Sequence, residues 1–354
     1  MNAPIASAGS GAPQELRVVR GERTGQPVVV SVDSTRLGPA LGGLRIATYD
    51  DWWTGAADAV RLSAAMTVKT ALAGLDHGGG KAVVALAPHD ADRWVADRRA
   101  DLLADVADVV ESLQGRYTTG PDMGTGPQDM AELWRRTRHV LCRPESDGGS
   151  GNSSGPTAAG VTAAISAAVQ HVWPGRAIAD LAFGVQGLGS VGALVADWLA
   201  QHGARLVVSD TRPEAQQAAQ RWGARWAEPT EVLSADVDVL VPCATGGVLD
   251  PATVQRLRCR AVVGPANNQL VHSGVADLLQ ARGICWVPDP LVSAGGIVFA
   301  TAVELRGDSA AAAAHRVASI GDRVTDLLDR ARSAGTTPLQ QVEEVVLHRL
   351  AGGR

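Results

Sequence analysis

Apolar residues recur along this chain with two different periods, and the change of period divides it. In the first part, PVVVSVD (27–33) and KAVVALAP (81–88) are short β-branched runs that predict strands. Between them, DDWWTGAADAVRLSAAMTVKTALAG (50–74) places apolar residues at helical spacing and predicts a helix. Another helix is expected from Arg93 to Leu113. Residues 1–25 lack both a basic start and an apolar core, so they read as a frayed tail rather than a signal peptide. The Gly/Ser-rich segment ESDGGSGNSSGPTAAG (145–160) reads as a linker or hinge.

Beyond that segment the alternation becomes regular. Strand-like IADLAFGVQG, RLVVSD, VDVLVPCA and AVVGPA are each followed by a helical run, respectively SVGALVADWLAQHGA, PEAQQAAQRWGA, DPATVQRLR and SGVADLLQARG. Such alternation predicts βαβ units and a parallel sheet buried on both faces. The tail from Ala310 to Arg354 reads as helical and amphipathic. The expected fold class is α/β with two domains, residues 1–145 and 146–330, and a C-terminal helical piece, 331–354, packing back on the first. A length of 354 residues agrees with two domains.

Composition narrows the function classes. With 45% hydrophobic and 19% charged residues the chain can build a sizeable core. A formal net charge of −5 and the lack of a basic stripe argue against nucleic acid and anionic membrane partners. No apolar run approaches the roughly 18 residues of a membrane span. The cytoplasm is the default expectation. Cys142, Cys243, Cys259 and Cys285 are scattered without zinc spacing, so no metal site is expected and they read as small buried hydrophobes.

Two features carry candidate chemistry. FGVQGLGSVGALV contains Gly187, Leu188, Gly189, Ser190, Val191 and Gly192 in the G-x-G-x-x-G arrangement, after an expected strand and opening an expected helix. Gly187 permits the tight turn, Gly189 admits a pyrophosphate to the backbone, and Gly192 lets helix and strand approach. Asp210 ends the next strand, where it would accept from ribose hydroxyls and repel a 2′-phosphate, favouring NAD; Arg212 weakens that preference.

The second feature is cationic. Of 32 lysines and arginines only Lys69 and Lys81 are lysine, twelve positions apart in KTALAGLDHGGGK. Lys69 shares a helix face with Leu62, Met66 and Ala73, so it either snorkels to the surface or points into a cleft toward an anion. Lys81 follows Gly78-Gly79-Gly80, which leave no side-chain bulk, so another group can come close there. A buried lysine can exchange protons near neutral pH, which arginine cannot. Asp122, in TTGPDMGTGPQDM, is a loop carboxylate that by itself reads as a turn or capping residue.

Taken together, LGPALGGLRI, MTVKTALAGLDHGGGKAV, GRYTTGPDMGT, VQGLGSVG, PCATGG, ANNQL and PDPLVSAGG resemble the leucine, valine and phenylalanine dehydrogenases, within the wider glutamate dehydrogenase-like group. The resemblance runs from about Ser31 to about Glu304. It implies NAD-dependent, reversible oxidative deamination of an L-amino acid to a 2-oxo acid and ammonium, in a cleft between a substrate and oligomerisation domain and a Rossmann-type domain. By resemblance, Lys69 holds the substrate carboxylate with the backbone near Gly43, Lys81 activates water, and Asp122 shuttles protons at the amino nitrogen. The triple glycine clears space for substrate, and Leu41 and Gly120 border the side-chain pocket. Ser153, Thr157, Ala244 and Asn268 contact the cofactor. A homo-oligomer of unstated size is implied.

The departures are specific. The family usually reads PDYVxNAGG, whereas Pro290 and Ser293 stand for the tyrosine and the asparagine; Thr70 and Pro121 also differ from common residues. Ser293 borders the substrate amino group by resemblance. No extra cation is placed for a side-chain carboxylate, so the expected substrate is apolar, branched-chain or aromatic. Two other readings stay open: a cofactor-binding sensor or accessory protein without turnover, and an NAD-linked imine reductase using the same site.

Overall fold

The structure is a computed structural model that describes residues 12–88 and 98–352. Part of the helix expected from Arg93 lies outside the described residues; the rest is the helix Arg99–Glu111. Contacts divide the described chain into two compact units. The first holds residues up to Asn152, then 300–309 and 345–352; the second holds Ser153–Phe299 and 310–344.

The first unit is built on a five-stranded sheet. Its strands are β1 (Glu15–Arg20), β2 (Pro27–Ser34), β3 (Ala40–Thr48), β4 (Gly78–Leu86) and β5 (Tyr117–Pro121), in the order β1-β2-β4-β3-β5. β4, β3 and β5 are parallel, while β1 and β2 run antiparallel to their neighbours. The frayed tail expected over residues 1–25 is therefore corrected: Glu15–Arg20 pairs residue for residue with β2. Its mostly exposed edge position gave ELRVVR little apolar contrast to read.

Helix α1 (Trp52–Leu72), capped by the Asp51 carboxylate on Thr54 N, covers one sheet face. It buries Ala56, Ala59, Ser63, Thr67, Val68, Thr70 and Ala71. Lys69, Met66 and Leu62 lie on a half-buried flank beside that packed face. The other sheet face packs on Arg99–Glu111, here α2, whose Leu102, Val106 and Val110 are fully buried with Val30, Leu44 and Val84.

β4 starts at Gly78 rather than Lys81, so the triple glycine is strand and not a loop. A Cβ on Gly78 would fall 1.7 Å from Ser34 O, one on Gly79 2.1 Å from Thr67 N, and one on Gly80 2.6 Å from the Tyr117 ring. This corrects the expectation that the glycines clear room for substrate. They make room for β2, for the α1 backbone and for Tyr117.

The second unit is a six-stranded, all-parallel sheet in the order β11-β10-β9-β6-β7-β8. The strands are β6 (Ala182–Gln186), β7 (Arg205–Ser209), β8 (Arg225–Trp226), β9 (Val239–Pro242), β10 (Ala261–Val262) and β11 (Cys285–Trp286). Chain order reverses between β6 and β9, which makes the carboxyl ends of those two strands the topological switch point where such sheets bind ligands. The segment read as a linker is helix from Ser154: α3 (Ser154–Val172) contains Thr157, with Ser153 at its N-cap. The C-terminal tail is helical in three pieces, Ala310–Ala318, Ile320–Ala334 and Pro338–Leu350. The last begins in the second unit and ends in the first, where Arg349 donates to Ala71 O (2.8 Å) and Asp76 (3.1 Å).

Between residues 299 and 310 the chain returns to the first unit through a π-helical turn, Thr301–Leu305. The buried Glu304 carboxylate accepts from Cys142 N (2.6 Å), Ser150 N (3.0 Å) and Ser150 Oγ (2.6 Å). It thus ties this return segment to the stretch that precedes residue 153.

Candidate active site

In β4 the period of two puts Gly79, Lys81 and Val83 on the sheet face covered by α1. Val83 packs there on Ala56, Ala59 and Val29. Lys81 is 5% exposed. Its Nζ donates to Asp122 Oδ2 at 2.7 Å; Asp122 follows the end of β5, one strand beyond the neighbouring β3. Arg45, on β3, donates from Nε to the same oxygen at 2.9 Å. Its Nη1 donates to Asp58 Oδ2 on α1 (2.8 Å), which also accepts from Tyr49 OH (2.8 Å), while Asp58 Oδ1 accepts from Arg61 (2.6 Å). Asp122 N is held by Thr125 Oγ1, and Thr125 in turn donates to Leu44 O.

The electrostatics follow from burial. Desolvation pushes the Lys81 ammonium below the ordinary lysine value of 10.5, and although Asp122 opposes this, Arg45 adds to it. Burial alone would raise Asp122, but Lys81 and Arg45 outweigh it and hold the carboxyl below the usual range. Burial and the bond to Asp58 push Tyr49 up to about 12.

Around this centre the glycines differ. A Cβ on Gly43 would lie 2.8 Å from Asp122 Cβ, so close approach of β3 to Asp122 requires glycine there. At Gly120 the nearest atom to an added Cβ is Leu141 O at 3.9 Å, which leaves open space beside β5. Leu41, read from the resemblance as a pocket residue, is 1% exposed. Lys69, Lys81, Asp122, Gly43, Leu41 and Gly120 all belong to the first unit.

The remaining candidates belong to the second unit. Gly187 follows β6 with φ +94, and a Cβ on it would meet Ala244 at 2.7 Å. A Cβ on Gly192 would fall 2.0 Å from Gly187 O. Both glycines are thus required by the protein's own packing. Gly189, the N-cap of α4 (Ser190–Gln201), has nothing within 4 Å of an added Cβ. Backbone N–H groups at this helix start, including those of Ser190 and Val191, lie beside a space open to an anion. Asp210 follows β7. Its carboxylate accepts from Leu188 N (2.7 Å) and from Arg212 N (2.9 Å) and Nε (3.0 Å). Burial would raise it, but Arg212 and the Leu188 amide outweigh that and keep it ionised. An open glycine cradle at the switch point, with a carboxylate at the next strand end, fits a dinucleotide.

Asn268 has φ +55; its N donates to Asp289 Oδ2 (2.9 Å) and its O accepts from Gly247 N, joining ANNQL to both PCATGG and PDPLVSAGG. Ser153 and Thr157 press on Gly296, where a Cβ would stand 2.9 Å and 2.8 Å from them. Ser293 Oγ donates to Asp289 O at 2.6 Å, so its single hydrogen is engaged by its own turn. Among the described residues no cluster of His, Cys, Asp or Glu could hold a metal ion, and no helix is long and apolar enough to cross a membrane. Burial pushes the thiols of Cys142, Cys243 and Cys285 up to about 12 and that of Cys259 to about 11, so none is poised as a nucleophile.

The residues that the sequence reading did not single out are Arg45 and Asp58. Arg45 is the only charged side chain in LGPALGGLRI, and a cation in a half-buried strand demands a carboxylate partner. That was the available signal.

Comparison with known proteins decides what this arrangement belongs to. Residues 24–139 match the family model of the Glu/Leu/Phe/Val dehydrogenase dimerisation domain, and residues 208–326 that of the Glutamate/Leucine/Phenylalanine/Valine dehydrogenases. The chain is 34% identical over 343 residues to the phenylalanine dehydrogenase of Caldalkalibacillus thermarum, covering 95% of this chain and 91% of that protein. It belongs to the Glu/Leu/Phe/Val dehydrogenase family. The valine dehydrogenase of Streptomyces coelicolor is 35% identical over 97% of this chain and 94% of its own length. The crystal structure of L-tryptophan dehydrogenase from Nostoc punctiforme superposes with a TM-score of 0.80 at 30% identity, covering 96% of both chains. This dehydrogenase is thus an oxidoreductase acting on the CH–NH2 group of an amino acid, in an NAD(P)-dependent family. The two-domain α/β fold expected from the sequence is the fold of that family.

Proposed function

We propose that this dehydrogenase converts an apolar L-amino acid, branched-chain or aromatic, with NAD⁺ and water into the 2-oxo acid, ammonium, NADH and a proton. The observation that carries the site is the ion pair between buried Lys81 and half-buried Asp122 at 2.7 Å, with the open space at Gly120. Bound nicotinamide supplies the acceptor for the α-hydrogen as hydride. Lys69 holds the substrate carboxylate. Lys81, as free amine, takes a proton from the attacking water and returns it during breakdown of the tetrahedral adduct. Asp122 carries protons to and from the substrate nitrogen. Gly187, Leu188, Gly189, Ser190, Val191 and Gly192 receive the pyrophosphate, Asp210 the adenosine ribose, and Ser153, Thr157, Ala244 and Asn268 the rest of the cofactor.

An apolar substrate is supported by the commitment of Arg45 to Asp122 and Asp58, which leaves it unavailable to a side-chain carboxylate, and by the open space at Gly120. The relatives named for phenylalanine, valine and tryptophan agree. NAD is supported by the buried, ionised Asp210, although the exposed Arg212 lies against it. The test is an NADH-absorbance screen of L-amino acids with NAD⁺ or NADP⁺, and of 2-oxo acids with ammonia and reduced cofactor. Turnover confined to glutamate or to NADP⁺ would overturn the assignment.

The engaged Ser293 hydroxyl favours a second reading, a cofactor-binding protein without turnover. Binding of NADH with no turnover in either direction would establish it. Ser293→Asn restores the longer donor that the family usually carries at this position and is expected to change kcat or substrate preference by about tenfold, the worth of one hydrogen bond. Unchanged kinetics on every amino acid would remove Ser293 from the site.

The chain also forms a homo-oligomer on this reading. The edge strand β1 exposes Leu16, Val18 and Val19, an apolar edge that natural sheets cover. Light scattering is expected to give a mass of at least twice 36.6 kDa.

A further inference from the structure

Asp122 presents two unlike oxygens. Oδ2 accepts from both Lys81 Nζ and Arg45 Nε, and two donors saturate its two lone pairs. Oδ1 has no hydrogen-bond partner among the described residues, and the Asp122 side chain is 28% exposed while Lys81 is nearly closed off at 6%. The oxygen open to an incoming group is therefore Oδ1. The side chain cannot flip without breaking two charge-assisted bonds.

What fixes Arg45 is equally defined. Its guanidinium is planar, so anchoring Nη1 on Asp58 dictates where Nε points. Asp58 is in turn held by Tyr49 OH and Arg61. The chain of contacts runs from α1 through β3 to the end of β5, all inside one unit. Among the described residues, the charged and titratable groups around this centre include Lys81, Arg45, Arg61, Asp58, Asp122 and Tyr49, with the buried Tyr117 also feeling the Asp122 charge.

We infer that Arg45, anchored by Asp58, is a positioning residue of this dehydrogenase: it holds Asp122 Oδ2 alongside Lys81, so that Oδ1 is the oxygen presented to the substrate nitrogen. The inference rests on the assignment of Lys81 and Asp122 made above. Arg45 has a second consequence by the same geometry. By sharing Asp122 it weakens the hold of that carboxylate on the Lys81 proton, and its own charge opposes a second cation nearby. Without it, Lys81 and Asp122 form a closed one-to-one pair, in which the ammonium is better stabilised and the free amine scarcer.

The test uses the full-length enzyme with NAD⁺ and the most active of L-valine, L-leucine, L-phenylalanine and L-tryptophan. Arg45→Gln is expected to lower kcat at least tenfold with little change in KM. The rise of kcat/KM with pH, set by loss of the Lys81 proton, is expected to move to higher pH. Asp58→Asn, which leaves Arg45 charged but unanchored, is expected to lower kcat with a smaller displacement of the pH profile. Arg45→Lys keeps the charge without the fork and is expected to restore the profile but not kcat; it also serves if Arg45→Gln fails to fold. Lys81→Met separates the two levels of the argument. If Lys81→Met retains turnover, the underlying assignment fails. If it is inactive while folded Arg45→Gln keeps wild-type kcat and pH profile, or Arg45→Lys in its place keeps wild-type kcat, the inference about Arg45 alone is overturned.

Discussion

Lys81→Met is expected to leave a folded protein that binds NADH and has lost at least 10³-fold in kcat, about 4 kcal/mol of barrier. Methionine reproduces the length and apolar stem of lysine, and Asp122 keeps Arg45 as a partner, so no buried charge is stranded. Folding equilibria add a second readout. The folded value of Lys81 lies below the ordinary 10.5, so between the two the unfolded chain binds more protons. Lys81 therefore adds to stability as pH rises across that window, and this contribution is absent in Lys81→Met. The buried thiols and the two tyrosines, whose folded values are raised, contribute the opposite slope in both proteins, so the readout is the difference between the wild-type and Lys81→Met profiles. Wild-type turnover in Lys81→Met would remove this lysine from the chemistry.

Gly79→Ala should damage the fold rather than the chemistry. The added methyl carbon would stand 2.1 Å from Thr67 N and 2.4 Å from Ser63 O, both in the α1 backbone, where no side chain can rotate away. Overpacking of this kind costs about 3 kcal/mol, and a backbone-to-backbone clash lies at or above that figure. The expected readout is a fall in Tm on the order of 10 °C, or loss of soluble protein. A wild-type Tm with a raised KM would return the glycine to a substrate-facing role.

Much of the second unit was readable because its signal is periodic. The runs AFGVQ, RLVVS and VLVP are strands where the alternation placed them. The two-residue edge strands Arg225–Trp226 and Cys285–Trp286 were not, since a pair of residues has no period and becomes a strand only because β7 and β10 offer it an edge. The first unit hid more. The triple glycine reads as punctuation, and only the packed neighbours reveal it as the tightest part of a strand. At the site, Lys69 and Lys81 stood out because every other cation is arginine. The same bias concealed Arg45. Its contacts reach 13 residues forward to Asp58 and 77 to Asp122, and follow from β3 lying between β4 and β5, an order no local pattern encodes.

The return of residues 345–352 to the first unit bears on how the molecule is made. Arg349 reaches the end of α1 across 278 residues, closing a unit whose strands are all synthesised long before it. The helix bearing Thr67, which walls Gly79 and Lys81, thus receives its last contacts only after the whole second unit has been synthesised. Completion of the unit that holds the lysine site therefore waits for translation to pass Arg349, and a nascent chain halted at residue 300 would carry Arg45, Lys69, Lys81 and Asp122 without that contact.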